Sequence, residues 1–308
     1  MKDIIDPDRD FQSIVDTKAA EGKLLCMGLD PVWEKLPIHL RGNDVENPGF
    51  LFKAKAFYDF CAAIVDKTHD LVACYKPNAA FFEALGWEGE MYLEKLIEYI
   101  RATAPDVAII IDAKRGDIDN TNNGYVAKYF GRYKLDAITV HPFLGEESLR
   151  SFLDCVGKGV IVLCKTSNKG SGEFQDRLVL IDGEERQAFG LDPGVTHIPF
   201  YEFIAYRMRF WESKATLCVV VGATCPAHTA KVRGILPNVF ILQPGVGTQG
   251  GDLSEAVQNG ITAKGNGITV NAGSKALYAF VGERFAEATR VVVIEMNRGV
   301  QEALPSAA

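Results

Sequence analysis

Eight short apolar runs, spaced along the whole chain, constrain the fold of this sequence more than any other feature. Each run is nearly all apolar over four to seven residues, whereas a strand with one face in water alternates apolar and polar residues. Continuous apolar runs are typical of parallel strands that are covered on both faces. The runs span residues 23–29, 71–76, 107–112, 137–140, 160–164, 216–222, 239–243 and 268–272.

The segments between the runs carry apolar residues at the spacing of amphipathic helices. These segments span residues 52–67, 81–103, 121–130, 146–156, 199–212, 226–234 and 274–286. Alternating strands and helices fit either a closed (β/α)8 barrel or an open doubly wound sheet. The first run ends in GLDP (28–31) and lacks the GxGxxG that usually follows the first strand of the open sheet. We therefore predict an α/β protein with the (β/α)8 TIM-barrel fold.

No linker rich in Pro or Ser divides the 308 residues, so we predict a single domain over residues 1–308. The segment that follows the fifth run, at about 168–198, is polar and rich in Gly and charged residues. A connection of this length is usually functional or has some structure of its own. We expect a long loop excursion here, with a contribution to a lid as one alternative.

Composition excludes several classes of partner. The net charge of −7 argues against general affinity for nucleic acids, and no apolar stretch approaches the roughly 20 residues that cross a bilayer. The acidic N-terminal sequence does not resemble a secretory signal. The seven cysteines show no CxxC pair and the five histidines show no HxH or HExxH spacing. We predict a cytoplasmic protein with reduced thiols, no metal site, and neither a nucleic-acid nor a membrane partner.

Polar residues follow most of the apolar runs, and barrel enzymes place their active sites at the C-terminal ends of the strands. Charges of both signs are therefore expected to meet at one rim. The polar residues after the runs are Asp30, Lys76 with Asn78, Asp112 to Asp117, His141, Lys165 to Asn168, the glycine-rich stretch 244–251, and Asn271 to Lys275.

The third run ends in DAKRGD (112–117), which is the most informative motif. Residues two apart in a strand face the same side, so Asp112 and Lys114 are expected to point together into the barrel mouth. Asp117 lies beyond the strand, and Thr121 follows four residues later. An aspartate beside a lysine in a partly dry site keeps the lysine protonated, which favours a proton donor over a Schiff-base nucleophile.

The glycine-rich stretch GVGTQGG (245–251) predicts a phosphate site. Glycines let backbone N–H groups approach a phosphate closely. The stretch lies between the seventh and eighth runs, where barrels frequently bind phosphate, and a helix is expected to begin near Ser274.

Together these motifs resemble the orotidine 5′-phosphate decarboxylase family, in particular its larger, bacterial-type subfamily. The motifs that carry the resemblance are GLDP (28–31), YKPN (75–78), DAKRGDI (112–118) with Thr121, TSN (166–168), VGAT (221–224) and PGVGTQGGD (244–252). They occur in order over most of the chain. DxKxxD alone is shared with sugar-phosphate decarboxylases of the same superfamily, but its combination with KPN is specific.

The resemblance implies a (β/α)8 barrel, usually a homodimer with sites at the subunit interface, that converts orotidine 5′-monophosphate (OMP) to UMP and CO₂ without a metal or organic cofactor. It implies that Lys114 protonates C6 of the pyrimidine beside Asp112, and that Asp117 of the neighbouring subunit completes a charge network with Lys76. The implied substrate-binding residues are Asp30 and the neighbouring subunit's Thr121 on the ribose, Ser167 on the pyrimidine amide, Gln249 between base and phosphate, and Asn78, Gly273, Ser274 and Lys275 around the rest of the substrate.

The chain departs from the family pattern at two places. The family usually has a phosphate-binding arginine at the start of the eighth helix, and here that place falls on Ser274 or Lys275. A lysine keeps the charge but loses the bidentate fork of an arginine. The fourth run ends in His141, where the family more often has asparagine, and we interpret this histidine as an ordinary rim residue.

Two other functions stay open at this point. One is an aldolase or metal-dependent sugar-phosphate decarboxylase on the same barrel, although Lys76 stands where the metal version needs an acidic ligand. The other is a non-catalytic nucleotide-binding protein, against which the full set of Asp and Lys residues argues.

Overall fold

The computed structural model describes residues 9–42, 48–118, 120–247 and 250–304. Within these ranges the strands are β1 (Leu25–Leu29), β2 (Cys74–Pro77), β3 (Ala108–Arg115), β4 (Ala137–Val140), β5 (Gly159–Lys165), β6 (Leu178–Leu180), β7 (His197–Pro199), β8 (Thr216–Val221), β9 (Phe240–Gln243) and β10 (Ile268–Ala272). All of them except β6 and β7 form a closed parallel barrel in the order β1-β10-β9-β8-β5-β4-β3-β2. The eight predicted strands and the TIM-barrel fold are thus confirmed.

Helices alternate with the barrel strands and cover their outer faces. They are α1 (Phe11–Ala20), α2 (Ile38–Arg41), α3 (Phe50–Thr68), α4 (Ala79–Glu83), α5 (Gly86–Thr103), α6 (Asn120–Val126) with a π-helical turn (Ala127–Arg132), α7 (Gly145–Ser148), α8 (Arg150–Leu153), α9 (Gly183–Phe189), α10 (Phe200–Met208), α11 (Pro226–Ile235), α12 (Leu253–Gly260), α13 (Ser274–Leu277) and α14 (Phe285–Ala303). None of the described helices is long and apolar enough to cross a membrane.

Several helices differ from the sequence-based prediction. The segment 81–103 divides into α4 and α5, because Gly86 adopts a φ of +67° and Gly89 sits directly against the Phe82 carbonyl. The segment 146–156 holds two short helices, and 274–286 holds the one-turn helix α13 followed by a connection to α14. No element was predicted over 287–303, which holds most of the long helix α14.

The apolar core has two parts, one inside the barrel and one between the strands and the helices. The inner part contains Cys26, Cys74, Ile110 and their neighbours, and the ring of Phe11 from α1 closes it at the N-terminal end of the strands. A Cβ atom at Gly159 would lie 2.7 Å from that ring, so this position needs glycine. The C-terminal mouth of the barrel is left for polar residues.

The segment 168–198 has structure of its own. It begins with a short 3-10 helix (Lys169–Glu173), continues through β6 and α9, and ends at β7, which pairs antiparallel with β6. The capping box of Asp182 and Glu185 begins α9, and Gly190 ends it in the left-handed conformation.

Candidate active site

The C-terminal ends of β1, β2 and β3 place four charged side chains at the mouth of the barrel. Lys76 follows the inward-facing Cys74 of β2 at a spacing of two, and Asp112 follows Ile110 of β3 in the same way. Asp30 comes directly after β1. The fourth charged side chain is that of Lys114 in β3. Asp30, Lys76, Asp112 and Lys114 thus form a charged layer above the inner apolar core, at the C-terminal ends of these strands.

Asp112 joins the two lysines of this charged layer. Its Oδ2 atom lies 3.1 Å from Nζ of Lys76, and its Oδ1 atom lies 2.5 Å from Nζ of Lys114. The Lys76 side chain is 5% exposed and that of Asp112 is 14% exposed, whereas that of Lys114 is 51% exposed. Lys114 is therefore the ammonium group that a molecule entering the mouth meets first.

The charged layer shifts the protonation equilibria of its members. Burial favours the neutral acid of Asp112, but the ammonium groups of Lys76 and Lys114 outweigh burial and hold the pKa of Asp112 well below its usual range. Burial favours the neutral amine of Lys76, but the carboxylates of Asp112 and Asp30 raise the pKa of Lys76 above its ordinary value. Asp112 is thus a carboxylate and Lys76 an ammonium group at neutral pH.

Asp30 differs from Asp112 because it forms no ion pair among the described residues that would outweigh its burial. Burial raises the pKa of Asp30, the charge of Lys76 opposes that rise, and the Asp112 carboxylate adds to it. The Oδ1 atom of Asp30 is buried without a hydrogen-bond partner among the described residues, while its backbone oxygen accepts a 2.8 Å bond from the Tyr278 hydroxyl. A buried acceptor of this kind can accept a hydrogen bond from a hydroxyl group of a ligand.

Lys114 reaches Asp112 through an irregular strand end. The register of β3 against β4 shifts between Ile111 and Arg115, and Lys114 itself has a φ of +47°. Asp112 and Lys114 therefore meet as expected, but a bulge brings them together where regular strand alternation had been assumed. Arg115 turns the other way and pairs with Glu83, which holds the strand end against α4.

Asp117 and Thr121 lie outside the charged layer of their own chain. The Asp117 carboxylate accepts a 2.7 Å bond from the backbone N–H of Ile118, and within the described ranges it forms no ion pair with either lysine. Thr121 is exposed in the first turn of α6. The buried side chain of Asn122 holds this loop, since it donates to the Asp117 carbonyl at 2.6 Å and accepts from the Asp117 N–H at 3.1 Å.

Asn78 and Ser167 line two further sides of the mouth. Asn78 forms a β-bridge with Asp112, and its side chain caps α4 by accepting from the Ala80 N–H. Ser167 follows β5 and lies against Gly222, where a Cβ atom would come within 2.7 Å of the Ser167 backbone. Glycine at 222 therefore lets the loop that carries Ser167 approach the end of β8.

The loop after β9 and the start of α13 enclose a cavity of about 690 Å³ beside the mouth. Gly247 has a φ of +74°, and the aliphatic part of Lys275 packs 3.5 Å from the position of a Cβ at Gly247. Gly273 precedes α13 as its N-terminal cap. The cavity is lined by Glu34, Lys35, Gly247, Ser274, Lys275, Tyr278 and Val281. Gln249 lies outside the described residues.

Sequence reasoning missed the buried Thr139 in β4, and it placed Asn271 of β10 at the rim without giving this buried residue a role. Thr139 hydrogen-bonds to Asp112, and the Oδ1 atom of Asn271 is buried without a partner among the described residues. Thr139 is the one polar residue of β4, and Asn271 lies two residues after Thr269 in β10, so a polar residue within an apolar run was the available signal. His141 packs on Gly116, and its Nε2 atom lies 3.0 Å from the Gly116 carbonyl oxygen.

Within the described ranges, no three His, Cys, Asp or Glu side chains are grouped so that they could hold a metal ion. The Asp112 carboxylate is instead paired with the two lysines of the mouth.

Comparison with known proteins agrees with this geometry. The family model described as orotidine 5′-phosphate decarboxylase / HUMPS family matches residues 23–276. Proteins named orotidine 5′-phosphate decarboxylase from Leptothrix cholodnii and Dechloromonas aromatica are 40% identical over 291 residues and 41% identical over 278 residues. The alignments cover 92% of this chain and 94% of the first relative, and 90% and 93% for the second.

Solved structures are also similar. The OMP decarboxylase of Leishmania donovani superposes with a TM-score of 0.73 at 31% identity, covering 95% of this chain and 99% of that one. The UMP synthase of Leishmania donovani superposes with a TM-score of 0.78 at 32% identity. This chain spans 57% of the length of that synthase and is itself covered to 97%.

Proposed function

We infer that this chain, which belongs to the orotidine 5′-phosphate decarboxylase / HUMPS family, is a carboxy-lyase that converts OMP to UMP and CO₂ in pyrimidine biosynthesis. The observation that carries the inference is the Asp112 carboxylate held between the ammonium groups of Lys76 and Lys114 at the barrel mouth. The seven free cysteines, six of them buried, suit a reducing compartment, and we place the enzyme in the cytoplasm.

The proposed mechanism uses Lys114 as the proton donor. The bond between C6 and the carboxylate carbon breaks, its electron pair stays on C6, and CO₂ leaves. The Lys114 ammonium then gives its proton to C6 and becomes a neutral amine. A preorganised ammonium group stabilises the negative charge that develops at C6 in the transition state. The Asp112 carboxylate repels the substrate carboxylate before reaction, and Lys76 holds Asp112 in its ionised form.

The remaining site residues are assigned to substrate binding. The Oδ1 atom of Asp30, which has no hydrogen-bond partner among the described residues, accepts a hydrogen bond from a ribose hydroxyl group. Ser167 bonds to the pyrimidine amide, and Asn78 holds the end of β2 beside Asp112. The phosphate occupies the cavity beside Gly247, where Lys275 supplies the charge that the family usually takes from an arginine and Gly273 and Ser274 open α13. Gln249 is assigned to base and phosphate from the motif alone.

We assign the working form to a homodimer with shared sites. Within the described ranges Asp117 forms no ion pair with Lys76 or Lys114, and Thr121 is exposed, which supports a role for both in the site of a second subunit. The exposed Ile118 lies between them in the chain and follows Asp117, whose backbone is bonded to the side chain of Asn122. In this dimer one chain supplies Lys76, Asp112 and Lys114, and the other supplies Asp117. The proposed mechanism therefore uses charged side chains and no cofactor.

The first test measures UMP formation from OMP by the purified protein and by Lys114→Ala. We expect turnover in the wild type and none in the variant, while UMP binding stays within about tenfold, or about 1.4 kcal/mol. Substantial residual decarboxylation by Lys114→Ala would contradict the assignment of the proton donor. A covalent adduct trapped by borohydride, or a strict requirement for Mg²⁺, would favour the aldolase or sugar-phosphate decarboxylase instead.

The second test mixes two inactive variants, Lys114→Ala and Asp117→Ala. A mixed dimer assembles one site with both residues intact, so we expect activity to return after mixing. The control is each variant mixed with itself. Lack of activity despite proven subunit exchange would overturn the shared site.

A further inference from the structure

Thr139 lies inside the barrel, directly against the charged layer. It belongs to β4, follows the inward-facing Ala137 at a spacing of two, and is 1% exposed. The other residues of β4 are apolar. A hydroxyl group at such a position must find hydrogen-bond partners inside the protein.

The Thr139 hydroxyl has three partners, and all of them belong to the end of β3. The backbone N–H groups of Ala113 and Lys114 both donate to its Oγ1 atom at 3.0 Å. Its own proton points to Oδ1 of Asp112 at 3.1 Å. A hydroxyl accepts at most two such bonds and donates one, so the hydrogen-bonding capacity of Thr139 is used completely.

These contacts hold Lys114 in an unfavourable backbone conformation. A non-glycine residue in the left-handed region is disfavoured and persists only when its surroundings impose it. Lys114 has a φ of +47° at the register shift between β3 and β4, and Thr139 accepts from the N–H of Lys114 itself and from that of the preceding residue, Ala113. The same hydroxyl binds the Asp112 oxygen that faces Lys114 Nζ.

We propose that Thr139 is a positioning residue for proton transfer: its hydroxyl sets both the backbone of Lys114 and the carboxylate of Asp112, and so aims the Lys114 ammonium at the reacting carbon. The proposal rests on the function proposed above. Thr139 does not touch the substrate, and acts through the two residues that it binds.

The test compares Thr139→Val with Thr139→Ser. Valine has nearly the same shape but no hydroxyl, whereas serine keeps the hydroxyl and loses the methyl group. We expect Thr139→Val to lower kcat about 100-fold, as small misplacements of reacting groups do. KM and UMP affinity should stay within about threefold, because ground-state binding is untouched. Thr139→Ser should recover most of the lost kcat.

Thr269→Val is the matched control. Thr269 is a fully buried threonine of β10 whose hydroxyl bonds to the Leu24 carbonyl, away from Lys114. We expect it to lower the melting temperature while kcat stays near the wild-type value. If Thr139→Val does not fold, Thr139→Cys replaces it, since a thiol is a weak hydrogen-bond partner at the same place.

Three results would overturn the proposal: wild-type kcat in Thr139→Val, equal loss of kcat in the valine and serine variants, or a loss that appears in KM alone. Failure of the proposed function is distinguishable, because the wild-type protein itself would then produce no UMP from OMP.

Discussion

The Asp112 carboxylate lies between two ammonium groups, and its ionisation is therefore linked to the stability of the folded chain. Its pKa is held below the value of an unfolded aspartate. A group of this kind stabilises the folded state above its unfolded pKa, and that contribution is lost as the pH falls towards the folded pKa. The two lysines of the proposed mechanism thus also help to determine how far the pH can fall before the folded state loses stability.

We predict that Asp112→Asn shows this linkage. The variant lacks the titrating group, so the free energy of unfolding of the wild type should exceed that of the variant most at neutral pH. The difference should shrink as the pH falls below about 4, where an unfolded aspartate becomes protonated. Urea denaturation of both proteins between pH 7 and pH 3 measures it. A constant difference over that range would contradict the ion-pair interpretation.

Asn122 is the residue that shapes the loop between β3 and α6. Its side chain is fully buried, binds both backbone groups of Asp117, and also donates to the Ser148 carbonyl. The carboxylate assigned to the second subunit therefore depends on an amide that itself lies away from the site. A buried amide with this many bonds is costly to remove.

We predict that Asn122→Ala lowers the free energy of unfolding by about 1–3 kcal/mol, because buried backbone groups lose their partners. Decarboxylation should fall as well, since Asp117 is no longer held. The control is Asn123→Ala, at the half-buried neighbour whose side chain bonds to Asn120 and Ser151 and not to Asp117, and it should change both quantities much less. Denaturation and turnover assays of the two variants decide the matter, and equal effects would argue against a specific role of Asn122.

At the level of elements, the excursion between β5 and α10 is tied to the barrel at its beginning. Lys165, which is buried, pairs with Asp176 at 2.8 Å and donates to Ser171 at 3.1 Å. Gln175 exchanges bonds with the backbone and hydroxyl of Thr166. Since Thr166 directly precedes Ser167, the excursion supports the loop that is assigned to the pyrimidine.

We predict that Gln175→Leu raises KM for OMP by about 3- to 10-fold, the equivalent of roughly one lost hydrogen bond of about 1 kcal/mol. The value of kcat should change less, because Lys114 is unaffected. Gln187→Leu is the control, since Gln187 is exposed on α9 of the same excursion. Steady-state kinetics of both variants provides the measurement. An unchanged KM in Gln175→Leu would show that the excursion does not position Ser167.

At the level of the whole molecule, the two ends of the barrel have different tasks. Arg9 closes the N-terminal end, where it forms two bonds to Asp136, at 2.7 Å and 2.9 Å. The Asp136 side chain is 1% exposed and also accepts from the Ile109 N–H. This buried pair joins the segment before α1 to β3 and β4, on the face of the barrel that barrel enzymes use for stability.

We predict that Arg9→Met destabilises the fold by about 3–5 kcal/mol, because it leaves the Asp136 carboxylate buried without its ion-pair partner. The double variant Arg9→Met with Asp136→Asn should recover part of the loss, since the neutral amide still accepts from Ile109. Turnover at low temperature should stay near the wild-type value in both proteins. A large loss of activity without a loss of stability would contradict the separation of the two ends.

The sequence determined the local part of this structure. Each barrel strand is a continuous apolar run. Such a run consists of neighbouring residues and can be recognised in the sequence alone, so all eight strands were predictable. The rim residues that end or directly follow an apolar run were predictable for the same reason, whereas Thr139 lies inside its run and was missed. The helix α14 was not predictable in this way, because its run Val291–Ile294 has the β-branched composition of a strand. Packing against α3 and α12 stabilises a helix over this run instead.

Only the tertiary structure decided which of these residues meet. Lys76 and Asp112 are 36 residues apart, and closure of the barrel is what brings their charges to 3.1 Å. The bulge at Lys114 and its support by Thr139 depend on the register between two strands, which no single segment specifies. Propensity and alternation are properties of neighbours in the chain, whereas electrostatics and hydrogen bonding depend on distances that exist only in the closed barrel.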